Sequence, residues 1–220
     1  FNNLELVVVD EWHELLGSKR GTQTQLCLAR LRLISAQLRT IGVSATVENP
    51  AFAVRCLLSR DAKSKIISAN LKREIRLQII QDEDQSRLPW AGHLGLNLLR
   101  PVAKNLDINS TSILFTNTRN QAEQWYHALS IVRTDLKIAL HHGSLAKENR
   151  EEVEFALKHG TIDLVIATSA LDLGVDFHAV ERIIQIGSPR TVSRLIQRSG
   201  RANHKPGQSS EVLLVPTNRL

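Results

Sequence analysis

Two short stretches carry side chains whose chemistry exceeds what packing requires. The first is Asp10-Glu11-Trp12-His13, placed directly after the apolar run Val7-Val8-Val9. Apolar residues on both faces of a short β-branched run predict a strand buried inside a parallel sheet. In open α/β sheets the ligand sits beyond the carboxyl ends of such strands. A carboxylate pair there can hold Mg²⁺ near phosphates and orient or deprotonate a water. The second stretch is Gln197-Arg198-Ser199-Gly200-Arg201-Ala202-Asn203-His204. From Gly187 to Gly207 the chain carries Arg190, Arg194, Arg198, Arg201 and Lys205 and no carboxylate. Guanidinium groups suit phosphate oxygens through forked, charge-assisted bonds. An arginine presented to a γ-phosphate neutralises charge that develops during transfer, worth about 10³–10⁵ in rate in nucleotide hydrolases. A solvated basic helix is the plain alternative for that segment.

Between them lies Ala167-Thr168-Ser169-Ala170-Leu171-Asp172-Leu173-Gly174-Val175-Asp176, a strand end, a small-residue turn and a Gly-x-Asp that suit a backbone approaching a ligand closely. Gly17-Ser18-Lys19-Arg20-Gly21 has the composition of a phosphate loop without its G-x-x-x-x-G-K-[ST] spacing. It reads as a basic loop, either solvated or in contact with nucleic-acid phosphate.

These residues need a scaffold, and the chain spells one. Strands are predicted at Leu4–Val9, Thr40–Val43 and Lys65–Ile67, with helices at Gln23–Leu38, where Leu26, Leu28, Leu31, Leu33, Ile34 and Leu38 form the apolar stripe, and at Pro50–Leu58. A boundary falls near the polar stretch Asn70 to Glu74, separating residues 1–70 from 71–220. Beyond it, strands at Ile75–Gln81, Ser112–Thr116, Lys137–Leu140, Asp163–Ala167, Arg182–Ile186 and Glu211–Val215 alternate with helices. The helices are expected over Leu94–Leu106, after the Thr118 cap, and from Ser144 to a close at Gly160. Trp125 and Tyr126 read as core. Such alternation means a parallel sheet wrapped on both faces, so the fold class is α/β.

Composition sets the remaining bounds. The 220 residues carry a formal net charge of +6, which fits a polyanion partner. Cys27 and Cys56 stand alone in apolar surroundings and read as small buried hydrophobes of a reducing compartment, and a cytoplasmic location is expected. No apolar run reaches membrane-span length, so no membrane partner is expected. A dinucleotide-binding G-x-G-x-x-G is absent, which excludes that class of enzyme. The chain contains no methionine and enters a core strand almost at once, as expected of a piece of a longer polypeptide.

The motifs together resemble a known family. Asp10-Glu11-Trp12-His13 is similar to motif II of the DExH-type superfamily 2 helicases, Ser44-Ala45-Thr46 to motif III, and Phe115-Thr116-Asn117-Thr118-Arg119 to motif IV. Ala167 to Asp176 resembles motif V, and Gln197 to His204 motif VI. His141-His142-Gly143-Ser144-Leu145, the Arg150-Glu151-Glu152-Val153-Glu154 segment and the Gly17–Gly21 stretch are similar to the Lhr-like (large helicase-related) branch, and Trp12 to its DNA-ligase-associated subgroup.

The resemblance implies two RecA-like units with a cleft between them, the first incomplete, and an ATP-dependent DNA helicase or translocase moving 3′-to-5′ on one strand of its duplex substrate. The cofactors implied are ATP and Mg²⁺, and the partners are DNA and, in repair, a DNA ligase and a nuclease. Asp10 would hold Mg²⁺ through water and Glu11 would activate the hydrolytic water. His13 and Gln197, with Ser44 and Thr46, would couple the nucleotide site to the nucleic-acid path. Gly174 and Asp176 would lie near the ribose. Thr116, Asn117, Arg119 and Thr168 would contact the nucleic-acid backbone. Arg198 and Arg201 would face the phosphates, with Arg201 expected to act as the finger and His204 to couple. The family's phosphate loop precedes motif II and is not among these residues, so a non-catalytic nucleic-acid-binding module is the alternative reading.

Overall fold

The chain divides into two units, Phe1–Leu71 and Lys72–Leu220. The computed structural model describes residues 1, 3–45, 47, 49–58, 62–68, 74–80, 95–108, 110–172, 180–189, 191–202 and 210–217.

In the first unit β1 (Leu6–Val9) pairs in parallel with β2 (Arg39–Gly42), Val9 opposite Gly42. Among the described residues three helices, α1 (Trp12–Leu15), α2 (Lys19–Ile34) and α3 (Pro50–Leu57), accompany them. Val9, Trp12, Leu28, Ala53 and Leu57 make the buried core. The Gly17–Gly21 stretch is not the loop its composition suggests. Ser18 caps α2, its Oγ accepting from Gly21 N at 3.1 Å, so Lys19, Arg20 and Gly21 form the first helical turn. Gly21 serves packing instead of turning: a Cβ there would lie 1.9 Å from the Leu15 carbonyl oxygen.

The expected stripe on α2 is also narrower. Leu26 and Leu33 are 67% and 80% exposed. At about 100° per residue they share a face nearly opposite the buried Leu28. Cys27 is exposed and Cys56 half-buried, so neither is the fully buried residue expected. Residues 62–68 contain no strand, and Ile67 is exposed; a short β-branched run forms no strand without a partner to pair with.

The second unit is a six-stranded sheet of β3 (Ile75–Ile79), β4 (Ser112–Phe115), β5 (Ile138–His141), β6 (Leu164–Ala167), β7 (Arg182–Ile186) and β8 (Ser210–Val215). The order is β3-β8-β7-β4-β6-β5, with all neighbours parallel. Its helices are α4 (Leu99–Lys104), α5 (Arg119–Val132), α6 (Lys147–His159) and α7 (Val192–Ser199). Alternate strand residues feed two separate cores, as burial on both faces requires. Leu114, Ile166, Ile184 and Leu213 meet Val102, Ala122, Trp125 and Leu129 on one face. Ile113, Phe115, Val165, Ile183 and Val212 meet Leu157, Leu171 and Ala202 on the other.

Differences from expectation are local. Trp125 is fully buried, but Tyr126 beside it is 36% exposed. The helix expected over Leu94–Leu106 is a 3₁₀ turn, Leu96–Leu98, followed by α4. The helix expected from Ser144 begins at Lys147, and Gly160 closes it at φ 62. Arg133 donates to the Ala103 and Leu106 carbonyls and ties the end of α4 to Asp135, whose carboxyl it holds below the ordinary range by hydrogen bonding. Among the described residues no helix is long and apolar enough to cross a membrane.

Gly21 gives a test whose sign opposes helix propensity. Alanine favours a helix over glycine by about 1 kcal/mol, yet Gly21→Ala should lower the thermal midpoint, because its methyl meets backbone that cannot swing away. A raised midpoint would disprove the close α1–α2 approach.

Candidate functional site

In the first unit, β1 delivers Asp10 to its carboxyl end, exposed to solvent. The Glu11 amide donates to Asp10 Oδ1 at 2.8 Å. Glu11 itself stands at φ 49, ψ 41, the left-handed region, and precedes α1. Among the described residues it is the non-glycine residue with positive φ. Such a conformation costs about 1–3 kcal/mol and persists only where neighbours enforce it. Trp12 enforces it from the next position: its amide donates to Val43 O at 3.0 Å, and its buried indole Nε1 to Ala53 O at 2.9 Å.

His13 is brought against the segment that follows β2. Its Nδ1 lies 3.2 Å from Ser44 Oγ and accepts from the Ala45 amide at 3.3 Å. A neutral ring accepting at Nδ1 carries its proton on Nε2. That nitrogen is buried with no hydrogen-bond partner, Glu14 Oε1 standing 3.8 Å away. The structure thus sets His13 against Ser44, whereas Thr46 lies outside the described residues.

In the second unit a parallel sheet brings every strand's carboxyl end to one edge. Thr116 is buried there and its hydroxyl donates to Thr118 O at 3.0 Å, an internal commitment. Asn117 is exposed, its side-chain amide donating to Ser188 O at 3.0 Å. Arg119 is exposed at the first position of α5, where Thr118 Oγ1 accepts from Gln121 N. Thr168 is buried just past β6, its amide donating to His141 O. The two histidines that end this edge of the sheet also find carboxylates: His141 Nε2 lies 2.9 Å from Glu154, and His142 Nε2 lies 3.3 Å from Glu123.

The basic helix α7 is not uncompensated. Its carboxylate comes from Asp172, at the end of the 3₁₀ turn after β6. Arg198 Nε and Nη2 donate to Asp172 Oδ1 and Oδ2 at 2.7 and 3.1 Å. Arg198 Nη1 donates to Gln185 Oε1 at the end of β7, and the guanidinium lies 4.2 Å from the centre of the Phe115 ring at the end of β4. Arg198 and Asp172 are both buried. Arg198 thus spends its fork inside the unit, across the ends of three neighbouring strands. Arg194 Nε stands 3.6 Å from Asp172 Oδ2, and Arg201 Nη2 donates to the Asp172 carbonyl at 2.8 Å. Gln197 Oε1 is buried without a hydrogen-bond partner. Gly174, Asp176 and His204 lie outside the described residues. Sequence reasoning passed over Asp172; the signal available was a lone carboxylate in the otherwise apolar Ala170–Gly174 stretch.

Comparison with known proteins places these features. Residues 96–205 match the helicase conserved C-terminal domain, and residues 1–53 match the DEAD/DEAH box helicase family. The chain is 33% identical to the ATP-dependent helicase Lhr-Core of Methanocaldococcus jannaschii over 99% of its own length and 26% of that relative's. The chain belongs to the Lhr-like helicases of superfamily 2. A solved structure of Mycobacterium smegmatis helicase Lhr bound to ssDNA and AMP-PNP superposes with a TM-score of 0.85 at 32% identity, covering 99% of this chain and 29% of that one. Saccharomyces cerevisiae Dbp5 bound to RNA and ADP BeF3 shares the fold, with a TM-score of 0.71 at 18% identity over 96% of this chain and 53% of its own. This Lhr-like chain spans about a quarter of the length of the curated Lhr-Core relatives it matches.

The Arg198 contacts predict a stability effect. Removing one partner of a buried ion pair costs about 3–5 kcal/mol, so Arg198→Ala should shift denaturant unfolding of the second unit by that order. Arg198→Lys should recover little, because an ammonium cannot reproduce the fork to Asp172. Parent-like unfolding of Arg198→Ala would place the guanidinium outside the interior.

Proposed function

We propose that this chain is the motif II to motif VI part of an ATP-dependent DNA helicase that translocates 3′-to-5′ on single-stranded DNA and separates duplexes. The observation that carries the reading is Glu11, a carboxylate held in a strained left-handed conformation at the carboxyl end of a parallel strand. Backbone strain of this kind concentrates at sites that use it. A non-catalytic module has no use for it, and so the alternative is the weaker one. DNA is preferred over RNA from the Lhr resemblance and from the ssDNA in the M. smegmatis Lhr structure.

ATP would be hydrolysed with an upstream phosphate loop cradling its phosphates. Asp10 Oδ2 remains available once Oδ1 has accepted the Glu11 amide, and a single carboxylate with phosphate and water suits Mg²⁺. The ion when bound would neutralise charge on the phosphates. Glu11 would orient the attacking water, and Arg201 would stabilise charge on the γ-phosphate as it leaves. Arg198, spent on Asp172 and Gln185, would support from behind. His13 Nε2 and Gln197 Oε1, each buried without a hydrogen-bond partner, would report nucleotide state to the nucleic-acid path. Gly174 and Asp176 would border the ribose, and Thr46 and His204 would join the coupling set. Asn117, Arg119 and Thr168 would follow the DNA backbone, with Thr116 bracing them from within. Trp12 extends the proposal to the ligase-associated subgroup, with a DNA ligase and a nuclease as repair partners.

In the polypeptide extended upstream through the phosphate loop, Glu11→Gln should abolish ATP turnover while leaving nucleotide binding within a few-fold, because the water-orienting carboxylate goes and the metal ligand stays. Turnover within a few-fold of the parent would remove Glu11 from its role. The 220-residue chain alone should show no ATPase and should bind DNA weakly, with steep salt dependence and little sequence preference. Sequence-selective affinity that survives high salt would overturn the helicase reading.

A further inference from the structure

We infer that Asp172 is a positioning residue that holds Arg201 for the hydrolytic step. The inference rests on the reading of Arg201 as the finger and extends it to a residue outside the motif VI helix. Three arginines of one short segment converge on this residue. Arg198 grips the carboxylate with both edges of its fork, Arg194 approaches the same oxygen that Arg198 Nη2 holds, and Arg201 bonds the main-chain carbonyl.

The connections form a closed mechanical chain. Asp172 is fixed at the end of the turn that follows β6, its amide donating to Ser169 O at 3.2 Å. Its carboxylate fixes Arg198, which Gln185 and the Phe115 ring hold from β7 and β4. The Arg201 amide donates to the Arg198 carbonyl at 2.9 Å, so the main chain at Arg201 is set by Arg198. The Arg201 guanidinium then returns to Asp172 through the 2.8 Å bond to its carbonyl. Both ends of the Arg201 residue are thereby referred to Asp172, the backbone through Arg198 and the side chain directly.

A finger must meet charge that exists only near the transition state, so its placement matters more to turnover than to ground-state binding. A long side chain free to rotate would lose much of that effect to entropy. Charge on Asp172 is also essential to the fork. An asparagine offers one acceptor oxygen where Arg198 uses two, and its NH₂ would face a guanidinium N–H. The carboxylate reaches Arg201 only through others and touches no substrate, which separates positioning from catalysis.

The experiment is a double-mutant cycle in the upstream-extended polypeptide, with steady-state ATPase, nucleotide affinity and thermal midpoint followed together. Arg201→Ala, Asp172→Asn and the double variant are compared with the parent. Asp172→Asn should lower kcat by about 10²-fold, the scale of a small misplacement of a reacting group, and leave KM for ATP within about twofold. In the Arg201→Ala background the same change should cost nothing further. Asp172→Glu, which keeps the charge, should recover part of the loss and serves as the test if the asparagine variant does not fold. An equal loss from Asp172→Asn in both backgrounds, or parent-like kcat in the folded variant, would overturn the inference. A near-parent kcat for Arg201→Ala alone would instead remove the finger reading, and the positioning role with it.

Discussion

The second unit depends on one buried ion pair, Arg198 with Asp172. Placing two charges in the interior costs several kcal/mol per ion, and only good geometry with further hydrogen bonds offsets it. Here the fork is bidentate, a third donor reaches Gln185, and the cation lies over the Phe115 ring. Cation–ring contact adds to the pairing most when water is excluded. The arrangement pins α7 to the ends of β4, β6 and β7, adjacent strands of the sheet. A helix of eight residues has little stability of its own, and this anchor fixes where its last turn and Arg201 stand.

The first unit solves a related problem with backbone. Glu11 occupies a left-handed conformation that its own side chain disfavours, and Trp12 secures it with one main-chain and one indole hydrogen bond. His13 is then turned toward Ser44 and Ala45. In each unit a buried residue, Trp12 or Arg198, sets the position of a half-buried one, Glu11 or Arg201.

Much of this was legible in the sequence where a physical rule acts locally. The β4 and β6 runs Ser112–Phe115 and Leu164–Ala167 are apolar on successive residues, which only a doubly covered strand tolerates. Thr118 and Gly160 mark helix ends by chemistry that needs no tertiary partner. The failures arise where a distant contact decides. Gly17–Gly21 looked like a loop because glycine usually punctuates, whereas Gly21 is demanded by the Leu15 carbonyl. Leu26 and Leu33 looked like core, because hydrophobicity does not say which face meets a neighbour. The arginine segment looked uncompensated, since its carboxylate stands at Asp172, after β6 and outside that segment. The strain at Glu11 has no sequence signature at all, because glutamate is not a residue that announces positive φ.

The most direct measurement is amide hydrogen exchange on the folded Asp172→Asn variant and the parent, read segment by segment. If the ion pair anchors α7, protection of the Gly200 and Arg201 amides, which donate to Ile196 O and Arg198 O, falls steeply in the variant. Leu114, Ile166 and Ile184 in the strands lose only the protection that the fall in global stability removes, less than the end of the helix loses. Unchanged protection at Gly200 and Arg201, or an equal loss across helix and strands, would contradict a helix held in place by Arg198 and Asp172.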